Sequence, residues 1–183
     1  MRGHTLMRMG IFLSLIGLGM VGRLVPHPPN FTPVIAVVLF AGFFFRHPAA
    51  SLCLALGVMA VTDSVIGTYD YRVMMVVYAA LLLPVAMRYV LRPRLTAARV
   101  AACAVLSQIV FFATTNFAVW ICGELYPHTL VGLVECYVAA LPFLRNALGG
   151  DLFWSAVLFG SYALAVHASG VWFPSRLDPA LRG

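Results

Sequence analysis

Charged residues are scarce in this sequence, and one charged residue type, lysine, does not occur in it. Only 10% of the 183 residues are charged, and the 12 basic residues are all Arg because Lys is absent. A soluble domain carries about a quarter charged residues, so the composition excludes a chain exposed to water over its whole surface. The net charge of +6 then reflects membrane topology, and we expect no nucleic-acid partner.

The chain also lacks the motifs of common catalytic and metal centres. The four cysteines, Cys53, Cys103, Cys122 and Cys136, form no CxxC pair and have no spacing typical of a metal site. We find no HExxH motif, no phosphate-binding glycine loop, no Ser-His-Asp arrangement and no paired carboxylates. The sequence therefore predicts neither an enzyme nor an intrinsic cofactor.

Apolar residues dominate instead, at 62% of the chain. They form six segments, at about 6–24, 33–45, 49–66, 73–91, 97–121 and 151–171. The pattern predicts an all-α integral membrane protein, with residues 1–183 forming a single transmembrane domain. We expect a six-helix transmembrane bundle that is embedded in the lipid bilayer, its first partner. Only the second segment is short for a span, which needs about 20 residues.

Two regions interrupt these segments. The stretch 23–33 holds four of the 11 prolines, and because proline breaks helices it predicts a non-helical segment after helix 1. The region 122–150 predicts a long outer connection before helix 6, in which 129–144 forms either a lid helix or a seventh span. Within it, Gly149-Gly150-Asp151 is interpreted as a helix start, since Asp is a preferred N-cap residue.

The arginines predict the orientation. With six spans, nine of them fall on one side, namely Arg2, Arg8, Arg46, Arg88, Arg92, Arg94, Arg99, Arg176 and Arg182. Only Arg23, Arg72 and Arg145 fall on the other. The positive-inside rule therefore predicts that both termini lie on the cytoplasmic side of the membrane. Most unusual polar and aromatic residues then lie at the outer ends of the segments, which favours a cavity open to the outside.

Segment five carries the clearest candidate for such a cavity. Gln108, Phe112, Asn116 and Trp120 recur at four-residue spacing, so they share one helix face. Polar residues within a span commonly face the bundle interior, where they either bind a ligand or bond to a neighbouring helix. Asp63 is open to two interpretations as well: it pairs with Arg23 or Arg72, or it accepts a hydrogen bond from a ligand.

The remaining candidates are an imidazole, an amide and several rings. His27, between two prolines, is either a metal ligand or a hydrogen-bonded structural residue. The tyrosines are either interface anchors or ligand contacts, and Tyr78 lies too deep to be an anchor. We predict a substrate-binding set of His27, Pro28, Asn30, Phe31, Asp63, Tyr69, Tyr71, Tyr78, Phe112, Asn116, Trp120, Tyr126, Tyr137 and Asn146.

Motifs along most of the chain resemble a family of small bacterial membrane proteins related to the substrate-binding S-components of energy-coupling-factor (ECF) vitamin transporters. They are, in order, Arg23-x-x-Pro26-His27-Pro28-Pro29-Asn30-Phe31-Thr32-Pro33, Leu39-Phe40-Ala41-Gly42, Asp63-x-x-x-Gly67, Thr115-Asn116-Phe117-x-Val119-Trp120, and Tyr137-x-x-Ala140-x-Pro142-Phe143-x-x-Asn146 leading to Gly150-Asp151. The best-understood similar branch is the BtuM family of solitary cobalamin transporters. The resemblance implies a six-helix S-component fold with an outward-facing cobalamin pocket.

One departure from that family concerns cobalt. Its cobalamin-binding members use a cysteine as axial ligand, near the outer turn between segments three and four. The corresponding turn, 67–72, has no cysteine, so ligand-exchange chemistry on cobalt is not predicted. The remaining candidates for a cobalt ligand are His27, His128, Cys122 and Cys136.

These observations predict an inner-membrane uptake protein for a vitamin, first of all cobalamin or a related corrinoid as the transported ligand. The chain has no nucleotide-binding motif, so energy would come from an ECF-type ATPase module if one is used at all. Three alternatives stay open. One is an S-component-like importer of a different vitamin, and another is a structural or assembly protein that binds a partner through its outer loops. The third is a membrane enzyme acting on a lipid or a cobalt-bound ligand, for which only Cys122, Cys136, His27 or His128 would supply a reactive outer group.

Overall fold

The computed structural model describes residues 2–169. Its regular elements are all helices, with no strand in this part of the chain, which confirms the all-α prediction. Five helical stretches are long and apolar enough to cross a membrane. The elements are α1 (Arg2–Leu24), α2 (Val34–Phe44), α3 (Pro48–Ile66), α4 (Tyr71–Ala80), α5 (Leu82–Ala86), α6 (Arg88–Leu91), α7 (Ala97–Cys122) and α8 (Leu130–Ser169).

The short helix α2 forms the centre of the bundle. Its sequence, VIAVVLFAGFF, is apolar on every face, and its residues from Val34 to Phe43 are all buried. A helix that is hydrophobic all round is stable only when other helices cover it on all sides. Accordingly α2 packs against α1, α3, α5, α7 and α8. At 1.5 Å per residue it is only about 16 Å long, about half the thickness of a hydrocarbon core.

The fourth membrane segment is built from three consecutive helices. α4, α5 and α6 follow one another from Tyr71 to Leu91, with breaks at Leu81 and Met87. Pro84 lies inside α5, and proline lacks the N–H that would bond to the preceding turn. Asp70 caps the start of α4, and its side chain accepts from the Arg72 backbone N–H at 2.7 Å. The bonds from Arg72 hold the pKa of this exposed carboxyl down at about 2.

The prediction of a long connection before helix 6 was wrong. Only residues 123–129 connect α7 to α8, which runs without interruption from Leu130 to Ser169. Because the helix does not reverse, 129–144 is neither a separate lid nor a seventh span. Asp151 lies inside α8 and caps nothing. The end predicted for segment six, residue 171, lies outside the described residues, as do Arg176 and Arg182.

The proline segment, defined here as residues 25–33, is non-helical as predicted. The expected stretch began two residues too early, since Arg23 and Leu24 complete the last turn of α1. The segment turns at Asn30, whose φ of 63° is a conformation that Asn tolerates better than most residues. It packs on two glycines, because a Cβ on Gly22 would lie 2.4 Å from the Pro33 ring and one on Gly150 would lie 3.1 Å from the Phe31 Cα atom.

That contact explains why Gly149-Gly150-Asp151 misled the sequence interpretation. Locally, two glycines before an acid are typical of a helix start. In the fold, Gly150 lets the backbone of the proline segment approach α8, and the Phe31 ring lies 5.9 Å from the Phe153 ring on the same helix. The need for a residue without a side chain at this point of α8 therefore comes from a contact between residues far apart in the sequence.

The opposite end of α2 is held by arginines. Arg92 donates from Nε to the Phe43 carbonyl oxygen at 3.1 Å and from Nη2 to that of Phe45, and Arg88 donates to that of Arg46. The last carbonyls of a helix have no partner within it, and the guanidinium groups supply one. We call this region, with Arg46, Arg88 and Arg92, the arginine end, and the region around the proline segment the proline end.

Candidate functional site

A cavity of about 230 Å³ lies beneath the proline segment, among α1, α2, α3, α4, α7 and α8. Its lining combines apolar side chains with a few polar ones, which is the usual character of a small-molecule site. Asn30 and Thr32 contribute from the proline segment itself. The other lining residues are Arg23, Val34, Ile35, Met59, Tyr69, Val77, Leu81, Gln108, Phe111, Ala147 and Asp151.

Arg23, which lines one wall of this cavity, belongs to an ion pair. Nη2 of Arg23 lies 2.8 Å from Oδ1 of Asp63, and the two side chains are 16% and 4% exposed. Nη1 of Arg23 also donates to the Thr62 hydroxyl at 2.6 Å and lies 2.9 Å from the Met59 sulfur. The structure therefore confirms that Asp63 pairs with Arg23 rather than with Arg72. Arg72 bonds instead to Asp70 and to the Cys122 carbonyl oxygen.

Two tyrosines extend this polar wall. Tyr78 donates from its hydroxyl to Oδ2 of Asp63 at 3.0 Å, so both oxygens of that carboxylate have a partner. This bond explains the depth of Tyr78, which sequence reasoning could not assign to an interface. Tyr69 lines the cavity, and burial, followed by the negative charge of Asp63, raises the pKa of its hydroxyl.

A smaller cavity of about 130 Å³ adjoins the first. Asn30, Gln108 and Phe111 line both, and Phe112, Thr115 and Asn116 complete the α7 side of the smaller one. The structure thus brings three of the four residues of the predicted α7 face, Gln108, Phe112 and Asn116, to a cavity wall. Asn116 also donates to the Phe112 carbonyl at 2.8 Å, so part of its bonding capacity is used within its own helix.

Sequence reasoning missed the importance of two cavity residues. Asp151 was taken for a helix cap, yet its side chain lies in the larger cavity wall at 3% exposure, and Oδ2 has no hydrogen-bond partner among the described residues. Gln108 was noted but left out of the binding set. It is 6% exposed, and no described group bonds to its side chain. An acid and an amide inside apolar runs were the available signals.

Other predicted residues lie outside both cavity walls. Trp120 donates to the Pro127 carbonyl at 3.0 Å and lies against His128, whose Nε2 is 3.2 Å from the Gly123 carbonyl oxygen. Tyr137 donates to the Ala113 carbonyl oxygen at 2.5 Å and packs its ring on Phe112. The remaining members of the predicted set away from the cavity linings are His27, Pro28, Phe31, Asp63, Tyr71, Tyr78, Tyr126 and Asn146. Their contact with a ligand stays a prediction.

None of the four candidates for a cobalt ligand lines either cavity. His27 Nδ1 is 2.8 Å from the Pro28 carbonyl oxygen, and Cys136 is buried with its sulfur 3.5 Å from the Asn116 carbonyl oxygen. Cys122 is the last residue of α7, and His128 lies in the α7–α8 connection. Among the side chains that the structure describes, no three from His, Cys, Asp or Glu gather as a metal site would require.

Comparison with known proteins gives one result. A family model described as a family of unknown function (DUF6580) matches residues 4–175, nearly the whole chain. No curated protein and no solved structure matches the chain significantly.

Proposed function

Because the chain belongs to the DUF6580 family of unknown function, we propose a function from its own side chains: it binds a small vitamin-like molecule within the membrane, as the capture component of an uptake system. One observation carries this proposal. A non-helical segment covers a cavity at the end of the short helix α2, and four polar side chains from four different elements, Arg23, Asn30, Gln108 and Asp151, line that cavity.

Polar groups buried among membrane helices destabilise the fold when they have no hydrogen-bond partner. This free-energy cost is the argument for a ligand. Arg23 and Asp63 neutralise each other, but the buried side chain of Gln108 and one oxygen of Asp151 have no partner among the described residues. A bound molecule with several hydrogen-bonding groups would satisfy them together.

The cavity volume bears on the substrate. Sites for drug-sized ligands measure roughly 300–1,000 Å³, so about 230 Å³ suits a smaller molecule. A corrinoid is far larger, and it would enter only after the proline segment leaves its position on Gly22 and Gly150. We therefore place a small vitamin-like ligand first and keep cobalamin, which the family resemblance implies, as the candidate that requires this opening.

The same segment suggests how uptake would proceed. With the orientation that the arginine distribution predicts, the proline end faces outward and the arginine end faces the cytoplasm of a bacterial inner membrane. A ligand would enter past residues 25–33 and leave after rearrangement of the helices around α2. Energy would come from a separate protein, such as an ECF-type ATPase module, because the chain has no nucleotide-binding motif.

The proposal is tested by identifying what the purified protein carries. The protein is expressed in bacteria grown with cobalamin, purified in detergent and denatured, and the released molecules are identified by mass spectrometry and visible absorption. Gln108→Ala and Asn116→Ala should lower the amount of the specific ligand by about tenfold, the loss expected from one or two buried hydrogen bonds.

A control on the same helix separates ligand loss from damage. Thr114 lies on an exposed face of α7 and bonds only to carbonyls of its own helix, so Thr114→Ala should retain the ligand. If no molecule is enriched in wild-type protein over the two cavity variants, the binding proposal fails. The alternative of an assembly protein would then be tested by cross-linking to neighbouring membrane proteins.

A further inference from the structure

The search for a substrate class begins with the charges of the larger cavity. Among its lining residues, two side chains are charged, Arg23 and Asp151. Arg23 is already neutralised by Asp63 at 2.8 Å. Asp151 has no such partner, because the ion pairs among the described residues are Arg23–Asp63 and Arg72–Asp70. The cavity therefore holds one carboxyl group in excess of its fixed cations.

The position of Asp151 is determined by the fold. It follows Gly150, whose lack of a side chain lets the Phe31 backbone pack against α8. Asp151 is 3% exposed, and its Oδ2 lacks a hydrogen-bond donor in the described structure. Burying a carboxyl group in this way costs several kcal/mol unless a partner is supplied, so a role in the fold alone does not account for it.

The surroundings of Asp151 favour one kind of partner. Tyr69 and Phe111 contribute aromatic rings to the same cavity wall, and aromatic faces attract organic cations. The oxygens of Asn30 and Gln108 can accept hydrogen bonds from a ligand N–H group. The remaining lining is largely apolar, which suits the carbon skeleton of an organic molecule better than a hydrated inorganic ion.

We propose that the cavity takes a ligand bearing a positively charged nitrogen group, such as an ammonium or an amidinium, which pairs with the Asp151 carboxylate beneath the proline segment. This inference rests on the proposed function, since it names the substrate class of the same cavity. The cation balances the excess carboxyl group, its N–H groups bond to the amide oxygens, and its apolar part lies against Val77, Leu81 and Phe111.

The test uses three probes of nearly equal shape and different charge. Benzamidine is a cation, benzamide is neutral and benzoate is an anion. Binding of each to the purified full chain in detergent is measured by titration calorimetry and by the shift in melting temperature. We expect wild-type protein to bind benzamidine at least tenfold more tightly than benzamide, and Asp151→Asn to lose that preference. Asp70→Asn, which removes an exposed acid outside both cavities, should keep it.

A second measurement does not depend on the probes. Without ligand, Asp151→Asn should melt roughly 2–4 °C above wild type, because the amide replaces a carboxyl group that has no partner and a few degrees is the shift expected from a modest gain in a chain of this size. A purely structural Asp151 would instead give a lower melting temperature on substitution. That result would overturn the inference.

The remaining outcomes are equally decisive. Equal binding of benzamidine and benzamide, or a preference for benzoate, would overturn the cation assignment and leave the cavity as a binding site. Stabilisation of wild type by NaCl over KCl, lost in Asp151→Asn, would overturn it in favour of a sodium ion. The proposed function itself is judged separately, by whether cavity variants lose the co-purified molecule.

Discussion

The proline end and the arginine end use the same side chain in two different ways. At the proline end, Arg23 pairs with a buried carboxylate and belongs to a polar wall that also includes Thr62 and Tyr78. At the arginine end, Arg88 and Arg92 bond to backbone carbonyls at the end of α2. The first arrangement lines a cavity, whereas the second completes a helix.

The difference shows in how each end balances its charge. Cations are favoured at a helix C-terminus because the aligned peptide dipoles make it negative, so the arginine end needs no carboxylate. This arrangement of the arginine end also brings like charges close together, which is unfavourable. Burial, together with the nearby charges of Arg88 and Arg46, lowers the pKa of Arg92 to about 10. The proline end holds two acids, of which Asp63 is paired with Arg23 and Asp151 has no partner for Oδ2 among the described residues.

Removing the carboxylate at the proline end should have the largest effect. Asp63→Ala leaves the Arg23 guanidinium buried without its counter-charge, and we expect a loss of about 3–5 kcal/mol in the free energy of unfolding. The measurement is unfolding by SDS titration in mixed micelles, followed by far-UV circular dichroism.

A double variant serves as the control for that prediction. Arg23→Met with Asp63→Leu removes both charges, and replacement of a buried pair by apolar groups is often neutral. We expect this protein to recover most of the lost stability while losing ligand binding. A double variant as unstable as Asp63→Ala alone would show that packing at these positions matters more than charge.

Breaking the arginine end should cost less. Arg92→Gln removes the guanidinium that serves the Phe43 and Phe45 carbonyls, and bonds to charged groups contribute about 1.5–3 kcal/mol. Arg94 is exposed, so Arg94→Gln is the matched control and should change stability by no more than about 0.5 kcal/mol. The same unfolding titration compares the two. Equal effects would mean that the helix end does not depend on Arg92.

The smallest effect is expected from filling the glycine contacts of the proline segment. Gly150→Ala forces a methyl group against the Phe31 backbone, and overpacking of this kind costs about 1–3 kcal/mol. Gly149→Ala is the control, because its nearest contact, the Phe31 ring at 3.9 Å, is ordinary. We expect Gly150→Ala alone to increase the labelling rate of a cysteine introduced as His27→Cys, measured with a water-soluble maleimide. Equal labelling rates in Gly150→Ala and Gly149→Ala would show that the contact at Gly150 does not hold the proline segment in place.

These two ends also differ in how far the sequence predicts them. Apolar runs and prolines are local signals, so α3, α7 and the non-helical segment were predicted closely. Arg23 was one of the two partners predicted for Asp63, and the structure, not the sequence, decided between Arg23 and Arg72. The uninterrupted α8 was missed because Gly149-Gly150 looks like a boundary when read alone, and its meaning depends on Phe31, far away in the chain.

The cavity was harder to predict for the same reason. The α7 face of Gln108, Phe112 and Asn116 follows from helical periodicity, but periodicity does not show which other helices meet it. Asp151 reaches the cavity only because α8 continues through the predicted boundary. Trp120 shares the four-residue spacing of that face but lies near the end of α7, where it bonds to the α7–α8 connection.

For the uptake function that we propose, the shortness of α2 bears on the distance that a ligand would travel. Val34 and Ile35, at the first turn of α2, lie in the wall of the larger cavity, and the helix ends among the arginines about 16 Å further on. A hydrocarbon core is about 30 Å thick. A molecule in the cavity would therefore have completed roughly half of its passage before any helix moves, and the remaining barrier would be the thickness of one short, wholly apolar helix.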